Sequence, residues 1–188
     1  MNNKELIGFI KPAKSYWILS YLSLAIFIAI TVLLVVFGHV WISMISSFIS
    51  IILLIFPIFR YWSVIKGVDN LEQSGKIKKV MHDFHSGWHL HCSDGDEIIF
   101  GNTFFFKSHS SKIRTYGDIR AMYADRLKNG RYQITMITKL RSLDYPEKLA
   151  VIDGNSFDDY RELKSVMGRI KPDVRMYDTY DSYMKTRK

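Results

Sequence analysis

A long run without formal charge constrains this chain more than any other feature. Residues 16–59 contain no Asp, Glu, Lys or Arg, and most of them are apolar. A helix that crosses a bilayer needs about 20 such residues, so the run is long enough for two helices. Gly38 and His39 form its one plausible turn. We therefore predict a helical hairpin with spans at residues 16–37 and 40–59.

Basic residues flank both outer ends of this hairpin and are absent from its turn. They are Lys4, Lys11, Lys14, Arg60 and Lys66, in a chain of formal net charge +8. Short flanks rich in Lys and Arg stay on the cytoplasmic side, so we predict a multi-pass protein of the cytoplasmic (inner) membrane with both termini in the cytoplasm. A second span follows the first at once, which is not typical of a signal peptide.

Small residues recur at helical spacing within both spans. Ser43, Ser46, Ser47 and Ser50 share one face of the second helix, and Ala25 and Ala29 lie four residues apart in the first. Small side chains let helices approach closely in lipid, so these residues are predicted to pack the hairpin. A serine-lined pore is the alternative, although no intramembrane acid or base marks an ion path.

Helical segments are predicted on both sides of the hairpin. Residues 1–15 form a cytoplasmic flank, either an ordinary charged segment or an amphipathic helix on the inner leaflet. Residues 60–74 keep a helical period and form a connector, with Gly75 as its C-terminal cap. Residues 75–171 are long enough for one compact domain, and residues 172–188 have no clear period and are predicted to be a loosely attached tail.

Beyond Gly75 the apolar period is interpreted as two, which favours β-strands. Residues 142–148, which include Pro146, are predicted to be a loop, and Asn129-Gly130 is a strong hairpin signal. An amphipathic helix follows, with Ser156 as its cap and an apolar face that ends near Ile170. The predicted strands cover residues 77–84, 88–92, 97–100, 103–107, 119–127, 131–139 and 149–152.

This order of about seven short strands and one final helix resembles the pleckstrin-homology-like (PH-like) fold. The resemblance extends to bacterial membrane proteins that carry such a domain after two spans. It rests on Ser74-Gly75-Lys76-Ile77, Met81-His82-Asp83-Phe84, Tyr116-Gly117-Asp118-Ile119 and residues 156–170. It implies an α+β protein in which two antiparallel sheets form a partly open barrel capped by the C-terminal helix. It also implies a binding function, because relatives of this fold bind phosphoinositide headgroups, peptides or other proteins.

Basic residues around the first and fourth predicted strands are candidates for binding anionic lipid. Each such charge near an anionic membrane contributes on the order of 1 kcal/mol. Lysines at solvated strand edges, where they discourage edge-to-edge pairing, are the alternative interpretation. The candidates are Lys76, Lys78, Lys79, Lys107, Lys112 and Arg114.

No pattern in the sequence predicts catalysis. The chain has no P-loop, no G-x-G-x-x-G, no G-x-S-x-G and no H-E-x-x-H. His82, His85, His89, His91 and Cys92 crowd one region, but their spacing matches no zinc signature, so no metal or cofactor is predicted. Cys92, the only cysteine, lies in a strand pattern and is expected in the core. No nucleic-acid-binding module is recognisable.

These observations favour a non-catalytic binding module anchored in the bilayer. Its ligand would be a protein partner, a second copy of the chain, or anionic lipid headgroups. The tether would raise the local concentration of the module at the membrane surface, so that weak contacts would suffice. The alternative is a small channel or transporter subunit in which the serine-faced hairpin is the functional part.

Overall fold

The computed structural model describes residues 3–140, 143–154 and 157–186. The chain divides into two compact units, which are described separately. The first contains Met1–Ile77 together with His109–Lys112, and the second contains Lys78–Ser108 and Ile113–Lys188.

Helices make up the first unit. They are α1 (Asn3–Ile10), α2 (Lys14–Val36) and α3 (Val40–Gln73), and α2 packs against α3. Both α2 and α3 are long and apolar enough to cross a membrane. Because α3 runs without interruption to Gln73, the helical connector predicted after residue 59 continues the second apolar helix.

Two glycines end the long helices where the sequence predicts. Gly38 and Gly75 have φ values of 76° and 69°, in the left-handed region that glycine enters without the Cβ clash of other residues. At each end the next N–H turns back to a helix carbonyl, from His39 to Leu34 at 2.8 Å and from Lys76 to Leu71 at 2.9 Å. This Schellman pattern satisfies carbonyls that a helix end otherwise leaves without partners.

The second unit is built on two four-stranded sheets. Helix α4 (Ile77–Ser86) precedes the sheets, α5 (Phe157–Ile170) follows the seventh strand and α6 (Tyr180–Lys185) follows the eighth. The first sheet contains β1 (Trp88–His91), β2 (Glu97–Phe100), β3 (Phe104–Lys107) and β4 (Ile113–Thr115). The second contains β5 (Ile119–Arg126), β6 (Tyr132–Leu140), β7 (Leu143–Ile152) and β8 (Arg175–Tyr177).

Each sheet is largely an antiparallel meander. The first has the order β1-β2-β3-β4, and the second has the order β7-β6-β5-β8, in which β8 runs parallel to β5. One apolar core joins both sheets to α5, with Phe100 and Phe105 from the first sheet, Met122 and Ile134 from the second, and Tyr160 from the helix. The predicted α+β class is confirmed, as is the amphipathic helix over Phe157–Ile170. Its predicted cap, Ser156, lies outside the described residues.

Two predicted elements near the ends of the domain are wrong. Residues 77–84 form helix α4 rather than a strand, because their apolar positions 77, 80, 81 and 84 follow the helical spacing of three and four. Residues 143–148 of the predicted loop belong to β7, whose first residue follows the undescribed pair 141–142. Pro146 is tolerated there because β7 is an edge strand, where one row of N–H groups has no ladder partner.

The predicted loose tail is also ordered. Residues 175–177 form β8 on the edge of β5, and α6 begins at Thr179, whose side chain accepts a hydrogen bond from the Ser182 N–H. Residues 173–177 alternate, because Val174 and Met176 pack on the core while Asp173, Arg175 and Tyr177 line the opposite side. This short period of two was the sequence signal for the strand.

Candidate functional site

Two of the six predicted lipid-binding residues are held inside the second unit. Lys107 Nζ donates to the Leu149 carbonyl at 2.9 Å and lies 3.6 Å from an Asp96 oxygen. The Arg114 guanidinium makes two hydrogen bonds to Glu147, of 2.6 and 2.5 Å. Because Lys107 and Arg114 lie on β3 and β4 while Leu149 and Glu147 lie on β7, these cations join the first sheet to the second.

The remaining lysines are exposed, and they lie on different segments. Lys76 follows the end of α3, while Lys78 and Lys79 lie in the first turn of α4. Along α3, the 13 residues from Arg60 to Gln73 span about 20 Å. That length exceeds the ~8 Å screening distance at physiological salt, so Lys76 and Arg60 are electrostatically independent.

Lys112 belongs to a loop that closes the end of α1. The His109 N–H donates to the Phe9 carbonyl at 3.0 Å, and the Ser111 N–H donates to the Ile10 carbonyl at 2.8 Å. The His109 ring also donates from Nδ1 to the Lys11 carbonyl at 3.0 Å. These donors satisfy the terminal carbonyls of a helix that has no glycine cap of its own.

The loop adopts a costly backbone conformation to reach these carbonyls. His109 and Ser111 have φ values of 58° and 61°, and left-handed backbone costs a residue with a Cβ roughly 1–2 kcal/mol. Two such residues in one short loop indicate that its position on α1 is strongly fixed by the contacts it makes.

Arg60 ties the same loop to the charged end of the hairpin. Its Nε donates to Ser111 Oγ at 3.2 Å, and its guanidinium carbon lies 5.0 Å from the centre of the Tyr16 ring. Trp17 and Tyr61 meet edge to face at this level, with ring centres 6.2 Å apart. Aromatic rings of this kind are enriched where helices leave the hydrocarbon for the headgroups.

Four cations therefore lie on segments that meet where the apolar run ends. We call Lys11, Lys14, Arg60 and Lys112 the basic cluster. From Leu6 to Val68 the chain contains no Asp or Glu, and residues 109–112 contain none either. The carboxylate-free run is the sequence signal for this site, although Lys11, Lys14 and Arg60 by themselves indicate only topology.

The serine face of α3 lies against α2. Ser43, Ser46 and Ser50 are buried, and Ser46 Oγ lies 2.7 Å from Thr31 Oγ1 of α2. Ser47 and Ser50 donate to carbonyls of their own helix, at 2.8 and 3.0 Å. Ala25 and Ala29 of the predicted packing set are exposed instead.

The histidine-rich region is divided between a helix and a strand. His82 and His85 lie on α4, while Nδ1 of His89 and of His91 on β1 lie 2.6 and 3.7 Å from the same Glu97 oxygen. Across the residues that the structure describes, no group of three or more His, Cys, Asp or Glu side chains is placed to hold a metal ion. Cys92 is buried in the core, and this burial raises the pKa of its thiol to about 11.

Two residues of the motifs that carry the PH-like resemblance, Asp83 and Tyr116, contact the turn between β2 and β3. The buried Asp83 carboxylate accepts the N–H groups of Thr103 and Phe104 at 2.7 and 2.9 Å. The Tyr116 hydroxyl donates to the Gly101 carbonyl at 2.8 Å, and burial raises the pKa of Tyr116. The described contacts of Asp83 and Tyr116 thus support the fold and involve no reactive group.

The fold and the basic cluster define a class: an α+β protein with two helices that can cross a membrane and a set of cations at their charged end. No family model, curated protein or solved structure matches the chain. The proposals below are therefore argued from residues and geometry.

Proposed function

We propose that this chain is a non-catalytic binding module that is anchored in the cytoplasmic membrane and contacts anionic lipid headgroups. In this proposal the hairpin spans the bilayer, and both termini and the α+β unit lie on the cytoplasmic side. The observation that carries the proposal is the basic cluster at the aromatic border of the apolar helices.

The proposal includes a PH-like fold for the α+β unit, and the order of strands supports it. A four-stranded meander, a three-stranded meander and one helix follow one another in the chain, as β1–β4, β5–β7 and α5. Helix α4 before the sheets and the segment β8-α6 after them are additions to that order. The described contacts of Asp83 and Tyr116 stabilise the fold, which agrees with a non-catalytic binding role.

The basic cluster is suited to binding anionic headgroups because of its position at the ends of the apolar stretches and its positive charge. Arg60 is the first charged residue after the second apolar stretch, and Lys14 is the last before the first. Phosphates of an anionic leaflet would lie at that level, where each cation contributes about 1 kcal/mol. Lys112 comes from the loop between β3 and β4, so headgroup binding at the cluster would act directly on that loop.

Helix α1 supports this arrangement by packing against α3 rather than by lying on the membrane surface. Leu6 and Ile10 are buried, and α1 packs against α3, on which Val64 and Val68 are also buried. Asn3 lies 3.3 Å from a Glu72 oxygen, so α1 runs back along the extension of α3. Two packed helices make a stiffer spacer than one, which would hold the basic cluster at a fixed depth.

Lipid retention by the detergent-solubilised protein tests the proposal. Native mass spectrometry would compare phosphatidylglycerol with phosphatidylcholine, in the wild type and in the double variant Arg60→Gln/Lys112→Gln. Removing two charges near the headgroups should weaken phosphatidylglycerol binding about 30-fold, and high salt should weaken it in the wild type.

The matched control is Arg126→Gln/Lys128→Gln, which removes two exposed cations near the end of β5. It should retain phosphatidylglycerol as the wild type does. Equal retention of both lipids by the wild type, or equal losses in the two double variants, would overturn the proposal and favour a protein partner.

A further inference from the structure

The ordered C-terminal segment forms one wall of a cleft in the second unit. The cleft has a volume of about 580 Å³ and lies beside β5, where Gly117 and Ala121 contribute almost no side chain. Lys171, Arg175 and Tyr177 also line the cleft. Clefts of roughly 300–1,000 Å³ are the usual size of small-molecule sites.

The parallel pairing of β8 with β5 fixes this wall. Ala121 pairs with Arg175 and Tyr123 pairs with Tyr177, so these residues lie on one face of the sheet. On that face the Tyr183 ring of α6 stacks on Tyr123, with ring centres 5.8 Å apart. Strand β8 and helix α6 thus position Arg175, Tyr177 and Tyr183, while Lys171 lies in the turn between α5 and β8.

Three cations line the cleft, and each retains capacity to bind an anion. Arg120 Nη1 lies 3.6 Å from Asp144, yet the Arg120 side chain is 51% exposed. Asp144 is already engaged, because it accepts a hydrogen bond from the Tyr183 hydroxyl at 3.1 Å. Asp144 therefore positions Arg120 without using all five of its donors.

The other two cations also retain capacity to bind an anion. Arg175 is exposed and forms no ion pair with the described part of the chain. Lys171 Nζ lies 3.1 Å from Asp173, whose side chain is 82% exposed, and exposed pairs of this kind contribute little. An incoming dianion could therefore take Lys171 from Asp173 at small cost.

We infer that this cleft binds the phosphate group of a small phosphorylated molecule, through Arg120, Lys171 and Arg175. Guanidinium forks match phosphate oxygens in pairs, and lysine adds a point charge. The lining is too polar for an apolar ligand, since charged and hydroxyl-bearing side chains dominate it. This site is separate from the basic cluster, and its residues are not among those proposed to contact lipid.

Isothermal titration calorimetry of the full chain in zwitterionic nanodiscs tests the inference. The probes are inorganic phosphate, pyrophosphate and glycerol 3-phosphate, and phosphatidylglycerol nanodiscs distinguish a lipid source of the phosphate from a soluble one. Soluble probes should bind, and Arg175→Gln should weaken their binding at least about tenfold, the value of one charged hydrogen bond.

Controls separate this site from general charge and from misfolding. Arg169→Gln removes an exposed cation of α5 outside this cleft and should bind the probes as the wild type does. Arg60→Gln/Lys112→Gln should also bind the probes fully. A failure of the phosphate inference can therefore be distinguished from a failure of the lipid proposal. Arg120→Gln should weaken probe binding similarly. An unchanged midpoint of thermal unfolding for Arg175→Gln would show that the fold of that variant is intact.

Three results would overturn the inference. The first is the absence of binding for every soluble probe at millimolar concentration. The second is an equal loss of probe affinity in Arg169→Gln and Arg175→Gln. The third is a heat of phosphate binding that is detected only in phosphatidylglycerol nanodiscs.

Discussion

The helical hairpin and the α+β unit bury opposite kinds of side chain. In the hairpin Ser43 and Ser46 are buried, while Trp41 and Phe48 are 81% and 65% exposed. In the α+β unit Phe105 and Met122 are buried in the core. A hairpin in lipid gains nothing by hiding apolar surface, so close packing of small polar residues decides its interior. In water, burial of apolar surface is the dominant driving force.

The two regions also differ in how a buried polar group is satisfied. Ser43, Ser47 and Ser50 each donate to a carbonyl of their own helix, which any helix provides. Asp83 depends on two N–H groups from a distant turn, so its contacts exist only when the whole unit is folded. The comparison predicts that replacing a buried polar residue destabilises the α+β unit strongly and the hairpin only weakly.

The largest effect is expected at Asp83. Asp83→Ala leaves the Thr103 and Phe104 N–H groups without their acceptor, and a buried group left unsatisfied costs about 1–3 kcal/mol, more when the lost partner is charged. We expect the free energy of unfolding to fall by about 3 kcal/mol. Urea unfolding in detergent, followed by near-ultraviolet circular dichroism, measures it.

Asp118→Ala, at an exposed position, is the matched control for Asp83 and should change stability little. A loss at Asp83 no greater than that at Asp118 would show that the carboxylate is not needed to hold the β2–β3 turn.

A smaller effect is expected at Cys92, and it depends on pH. Burial, and then the nearby Asp94, raise the pKa of this thiol from 9.0 to about 11. The unfolded chain therefore loses the proton first, so stability falls as pH rises from 9 to 11. The shift corresponds to a loss of about 2–3 kcal/mol that the Cys92→Ala variant lacks.

Unfolding free energies of both proteins across that pH range check the prediction. Tyr116 and Tyr160, whose pKa values burial also raises, are present in both proteins and cancel in the difference. The wild type should lose stability more steeply than Cys92→Ala. Parallel profiles would mean that the thiol ionises as readily in the folded protein as in the unfolded chain.

The smallest effect is expected at Ser46. Ser46→Ala removes the 2.7 Å contact with Thr31 and the longer 3.3 Å contact with the Phe27 carbonyl, but leaves the hydroxyl of Thr31 bonded to that carbonyl. Hydrogen bonds between membrane helices contribute about 0.6 kcal/mol on average, so the loss should be of that order. Thermal unfolding in detergent would compare it with Ser63→Ala, an exposed serine whose hydroxyl donates to the Phe59 carbonyl of its own helix. A loss as large as that at Asp83 would break the comparison.

Much of the fold was predictable because it follows from local patterns. The uncharged run, the turn at Gly38, the cap at Gly75 and the hairpin at Asn129-Gly130 all depend on neighbouring residues. The error at residues 77–84 arose because a short apolar run was interpreted with a period of two, although its spacing also fits a helix. The loop predicted at Pro146 was wrong because only the sheet order makes β7 an edge strand.

The candidate sites depended far more on tertiary structure. The sequence identified Lys107, Lys112 and Arg114 alike as candidates for binding anionic lipid. In the structure, Lys107 and Arg114 pair with groups of the other sheet, and of these three only Lys112 belongs to the basic cluster with Arg60. The phosphate cleft was invisible in sequence, because Arg120 and Arg175 line the same cleft only when β8 pairs with β5.

The sequence by itself determined the two apolar helices, the α+β class and the final amphipathic helix. Each of these follows from periodicity and local backbone preference, which act over a few residues. Tertiary structure alone decided which charges are neutralised and which converge. Those partners come from residues far apart in the chain, and no local pattern encodes their meeting.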